Sequence, residues 1–168
     1  MGVEKIKIHL AVDGQRQVYE VTKTIWEYEK AYRRYILYLS LNIENVKYEI
    51  GEEYVNMEYA VIDLQKQLPE NIQIVCCQNC KHGNYFPYGD IENQIFCFLN
   101  FNPKDKNDVV EIFNSSVYMS LSREMAERLD FPANELLHYC EKYEKIDDDA
   151  YYTYNDWNYH FKDKEKQG

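Results

Sequence analysis

Apolar and polar residues alternate from the start of the chain. Ile6, Ile8, Leu10 and Val12 interleave with Lys5, Lys7, His9 and Ala11, the two-residue period of a strand with one face buried. Asp13-Gly14 follows, a pair favoured in tight hairpin reversals, and Val18, Tyr19 and Val21 continue as the returning strand. His9 falls on the outward face and reads as a surface histidine. Thr24 and Glu27 have the spacing of a capping box and predict a short helix over 25–34, with Ile25, Tyr28 and Tyr32 on one side. Alternation resumes at Tyr35, Leu37, Leu39, Leu41 and Ile43, which predict a strand.

The period then changes. Tyr54, Met57, Val61, Leu64 and Leu68 recur at steps of three and four, predicting a helix over 52–68 that ends at Pro69. Ile72, Ile74 and Cys76 predict a short strand. Gln94 to Phe101 predicts another, with Ile95, Cys97 and Leu99 on one face and Phe96, Phe98 and Phe101 largely on the other. If these two strands pair as a long hairpin, the loop between them lies at one end of it. Val109 to Phe113 predicts a further strand. Ser120 or Ser122 caps a helix through Arg128, and Pro132 opens a last helix, to about Tyr143, whose inward face carries Leu136, Cys140 and Tyr143. Lys162 to Gly168 reads as a frayed, charged tail. With no internal repeat and no linker, these elements predict a single α+β domain with its core within 3–161: a mostly antiparallel sheet with helices packed on one side.

Composition narrows the function classes. The chain has 168 residues, long enough for a core without disulfide staples, and its 19 Lys and Arg against 29 Asp and Glu give a net charge of −10. That balance argues against a nucleic-acid binder, whose affinity comes from cations displacing counterions, and against docking on an anionic membrane. The opening residues lack a secretory pattern, and no apolar run approaches the span of a bilayer. A soluble, cytoplasmic protein is the expectation.

Five cysteines in such a compartment point to metal binding or core packing before disulfides. Cys77 and Cys80 form a CxxC, the spacing that lets two thiolates of one tight turn reach the same metal. One CxxC is half a site, so completion must come from Cys97, Cys140 or His82. Three readings stand side by side: a four-ligand structural zinc site, buried thiols acting as small hydrophobes, and a redox-active pair. The last is weakened by His82-Gly83-Asn84 and Pro87-Tyr88-Gly89, which break the helix whose N-terminal field activates such pairs.

The pattern Cys77-x-x-Cys80, Pro87-Tyr88-Gly89, Phe96-Cys97-Phe98 and Tyr139-Cys140-Glu-Lys-Tyr143 resembles a family of small uncharacterised bacterial proteins, over roughly residues 53–145. The resemblance implies that Cys77, Cys80, Cys97 and Cys140 belong together and leaves Cys76 as the extra cysteine. It carries no activity with it.

No zinc-hydrolase spacing, nucleophile elbow or phosphate-binding glycine loop occurs in the sequence. Asp147-Asp148-Asp149 reads as a solvated acidic turn, because no calcium-loop ligand series follows. Tyr151, Tyr152, Tyr154, Trp157, Tyr159 and Phe161 crowd the C-terminal segment. They either close over the sheet or, with Asp156, form a contact surface in which Tyr152, Tyr154, Asp156 and Trp157 meet a basic protein partner. The leading expectation is a non-enzymatic, immunity- or antitoxin-like binding module with one structural zinc. The alternative is an enzyme using an open zinc site or a reactive Cys77/Cys80 pair.

Overall fold

The computed structural model describes residues 2–29, 34–54, 57–88, 94–101, 103–115, 133–146 and 154–166. The architecture is α+β with mostly antiparallel sheet, and the chain falls into two compact units, Met1–Cys76 and Cys77–Gly168.

The first unit contains β1 (Gly2–Val12), β2 (Gln15–Glu29), β3 (Arg34–Ile43), β4 (Val46–Tyr54), α1 (Met57–Gln67) and β5 (Ile72–Ile74). Its strands form one sheet in the order β4-β3-β2-β1-β5, antiparallel throughout. The β1–β2 hairpin turns at Asp13-Gly14 as its sequence predicts, with φ of 50° and 80°. Positive φ at both central residues is the reversal whose twist matches a hairpin. A second such turn, Glu44-Asn45 with φ of 48° and 67°, joins β3 to β4. Leu37, Leu39, Leu41 and Ile43 share one buried face of β3 with Ile8, Leu10, Val21 and Ile50 of neighbouring strands. Helix α1 packs against β3 and β4 and buries Met57, Ala60, Val61 and Leu64. Its Gln65 also serves an edge strand: Nε2 donates to Ile72 O at 3.0 Å and Oε1 accepts from Ile74 N at 2.7 Å. That side chain stands in for a neighbouring strand along β5.

Two predicted helices differ here. Residues 25–29 continue β2, pairing Ile25 with both Gly2 and Leu37. The run Val18, Val21, Thr22, Thr24, Ile25 is rich in β-branched residues, and strands on both sides outweigh a single cap worth about 1 kcal/mol. Likewise 52–54 stay in β4, paired with β3, so the helix begins at Met57.

The second unit contains a 3₁₀ turn (Cys77–Asn79), β6 (Gly83–Asn84), β7 (Gln94–Cys97), α2 (Lys106–Ser115), β8 (Ala133–Glu135) and a 3₁₀ stretch (Trp157–Lys166). Its sheet runs β6-β7-β8, antiparallel. The long hairpin of 72–76 with 94–100 does not form: β5 pairs with β1, and β7 with β6 and β8. The strand expected over 109–113 is the centre of α2. Val109 and Phe113, one helical turn apart, are fully buried, and Asp105 caps the helix by accepting from Asn107 N at 2.8 Å and Asp108 N at 2.9 Å. The helix expected to run to Tyr143 is replaced by β8 and a series of turns. The predicted helix through Arg128, together with Gly89, Asp147 to Asp149 and Tyr152, lies outside the described residues.

An aromatic core holds this unit. Phe96, Phe98, Val109 and Phe113 are buried together, with Phe86, Phe101 and Tyr154 packed against them. Phe113 lies 5.1 Å from Phe96, 5.2 Å from Phe86 and 5.3 Å from Phe98 between ring centroids, the first two edge-on.

Candidate metal centre

The CxxC segment is embraced by chain from about sixty residues further on. On one side Cys77 N donates to His138 O at 2.8 Å and Gln78 N to Leu136 O at 3.1 Å. On the other, Lys81 N donates to Glu144 O at 2.9 Å and Ile146 N to Asn79 O at 3.2 Å. Between these arms the chain reverses at Cys140, where Tyr143 N donates to Cys140 O at 3.1 Å. Cys140 therefore arrives on a tight turn facing the CxxC. Cys97 arrives from β7, in register with Gly83, and Phe98 N donates to His82 O at 2.8 Å.

As a result Cys77, Cys80, Cys97 and Cys140 line one small cavity, with His82 and Lys142 at its wall. Cys76 is buried in the first unit and does not line the cavity. Cys77 and Cys80 are buried, while Cys97 and Cys140 are half-buried. Gly83 makes the approach of β6 possible: a Cβ there would stand 2.3 Å from Cys77 O and 3.2 Å from Cys80 O.

Burial pushes the Cys80 thiol above its ordinary 9.0, and the nearby Cys140 and Cys97 thiols push the same way. Opposing them, the backbone N–H groups of Glu144 and His82 hydrogen-bond to the Cys80 side chain. Donors aimed at a sulfur favour its thiolate, the form that binds metal. The Lys81 ammonium pairs with Glu144, and His82 Nε2 lies 3.2 Å from Glu144 Oε1. These partners, Lys81 first, hold the Glu144 carboxyl below the usual carboxylate range. His82 is thus engaged at the rim.

Among the described residues, no three of the four sulfurs lie within 4.8 Å of one another. Around a tetrahedral zinc, sulfurs stand about 3.8 Å apart. The four thiols share the cavity without the close spacing that a tetrahedral ion imposes.

The other predicted residues are placed differently. Trp157 is buried, with its ring 5.2 Å from that of Phe161. Tyr154 is half-buried against the aromatic core and Asp156 is exposed. Sequence reasoning missed Asn155, which is buried, with Nδ2 donating to Gln78 O at 2.9 Å and Gly83 O at 3.1 Å. An asparagine in a polar, aromatic segment carries no periodic signal. Among the described residues no helix is long and apolar enough to cross a membrane. No family model, curated protein or solved structure matches the chain.

Proposed function

We propose that this protein is a non-enzymatic binding module whose second unit is stapled by one zinc ion, held as thiolates by Cys77, Cys80, Cys97 and Cys140. The observation that carries the reading is the sorting of the five cysteines: the four line one cavity and Cys76 lies outside it. Four thiolates fill a tetrahedral sphere and leave no position for water, so such an ion folds the chain and catalyses nothing. A reducing cytoplasm, which keeps the thiols available, suits the site. The net charge of −10 supports a basic protein as the partner, in the manner of an immunity protein or antitoxin that masks a basic active site.

Elemental analysis of the purified protein tests the staple. One zinc per chain is expected, with loss of near-ultraviolet circular dichroism on chelation. Serine at Cys77, Cys80, Cys97 or Cys140 should lower the retained zinc, and Cys76→Ser should not. Metal-free protein that is fully folded, or equal zinc loss in Cys76→Ser, would overturn the reading.

A further inference from the structure

The segment around Asn155 grips the cysteine loop itself. Asn155 has one amide N–H₂ and one carbonyl oxygen, and every one of these atoms is used. Nδ2 donates to Gln78 O at 2.9 Å and to Gly83 O at 3.1 Å, and Oδ1 accepts from Trp157 N at 3.0 Å. Gln78 lies between Cys77 and Cys80, and Gly83 lies just beyond Cys80 and opposite Cys97. One side chain therefore spans the turn that carries the central thiol. The backbone reinforces it: Tyr154 N donates to the Oδ1 of fully buried Asn84 at 2.8 Å, and Tyr85 N to Tyr154 O at 2.9 Å. Beyond this clamp Trp157 is buried, only 6% exposed.

The two carbonyls held by Nδ2 belong to the backbone-bonded turn that presents Cys77 and Cys80, so the clamp and the thiols share one piece of chain. From this we infer that Asn155 is a positioning residue of the metal centre, and that docking of the 154–161 segment is coupled to metal occupancy. The inference rests on the four-thiol reading. Coupling between two binding events is reciprocal: the factor by which the docked segment raises zinc affinity is the factor by which zinc favours docking. Removing the metal should loosen the loop and release Trp157. Breaking the clamp should loosen the metal.

The test uses the full chain labelled with 5-fluorotryptophan, whose two indoles, Trp26 and Trp157, are assigned by Trp157→Phe. Zinc transfer to a chromophoric chelator is timed in parallel. Stripping zinc is expected to move the Trp157 fluorine resonance to a solvent-exposed position and leave Trp26 in place. Asn155→Ala and Asn155→Asp, neither of which can donate to the two carbonyls, are expected to speed zinc transfer about tenfold or more. Gln65→Ala, which weakens the β5 edge of the first unit without touching the loop, should lower the melting temperature and leave the transfer rate unchanged. If the wild-type chain carries zinc but both Asn155 variants transfer it at the wild-type rate, the coupling is wrong and the metal site stands. The coupling is equally wrong if Trp157 keeps its resonance after stripping. If the wild-type chain carries no zinc, both readings fall together.

Discussion

Replacing Gly83 by alanine adds one methyl group where the second unit has no room for it. A Cβ at this position would stand 2.3 Å from Cys77 O, 2.8 Å from Ile95 Cδ1 and 3.2 Å from Cys80 O. The Ile95 methyl can swing away, but the carbonyls cannot. Cys77 O accepts from Cys80 N at 3.3 Å, and Cys80 O accepts from Gly83 N at 2.9 Å, so moving either one opens the turn that presents the thiols. Overpacking of this kind costs about 1–3 kcal/mol. The reduced freedom of the unfolded chain returns about 0.4–1 kcal/mol only where the native site accepts alanine without strain, which this one does not. The expected loss is therefore about 2 kcal/mol, or roughly 8–16 °C in melting temperature for a unit of this size. Thermal unfolding followed by near-ultraviolet circular dichroism, which reads the Phe and Tyr cluster, is the assay. Two glycines of the first unit, followed by far-ultraviolet circular dichroism, check the same reasoning. At Gly2 an added Cβ would meet nothing within 4 Å, so Gly2→Ala should be silent. Gly14 has open space but a φ of +80°, so Gly14→Ala should cost about 1 kcal/mol through backbone strain alone. A Gly83→Ala protein within about 0.5 kcal/mol of wild type would refute the close approach and the turn geometry built on it.

Two further outcomes can be checked by denaturant titration. Glu44 sits at a φ of 48°, which costs a residue with a Cβ about 1 kcal/mol, so Glu44→Asn combined with Asn45→Gly should raise stability by about that much. Gln65→Ala removes the amide that satisfies Ile72 O and Ile74 N and should cost about 1–3 kcal/mol; an unchanged midpoint would mean water replaces it freely.

The sequence was most legible where pattern and turn chemistry agree. Asp13-Gly14 between alternating runs marked the first hairpin, and the Tyr35 to Ile43 alternation marked β3. The strand β4 was harder to see because Gly51, Glu52 and Glu53 interrupt its alternation and Glu44-Asn45 is a less familiar turn pair. Thr24 and Glu27 carried a genuine local preference that pairing on both sides of β2 overrode. In α2 the short run Val109 to Phe113 fits either period, and only burial of Phe113 one helical turn after Val109 decides between them. The candidate site was legible as a set of residues and not as a geometry. The spacing of Cys77 and Cys80 showed which thiols could share a turn, but the arms at 136–138 and 144–146, and the clamp at Asn155, depend on contacts between distant segments that no local window contains.

Those distant contacts set an order in time. The hairpins β1–β2 and β3–β4 join neighbouring stretches of chain and can form as soon as each is made. The cradle around Cys77 is different, because its second arm ends at Ile146. At synthesis rates of about 5–20 residues per second, that arm follows Cys77 by roughly 3 to 14 seconds. Through that interval Cys77, Cys80 and then Cys97 stand on an unfinished chain, open to oxidants and to any passing metal, and only the arrival of Cys140 and the turn behind it closes the cradle around them.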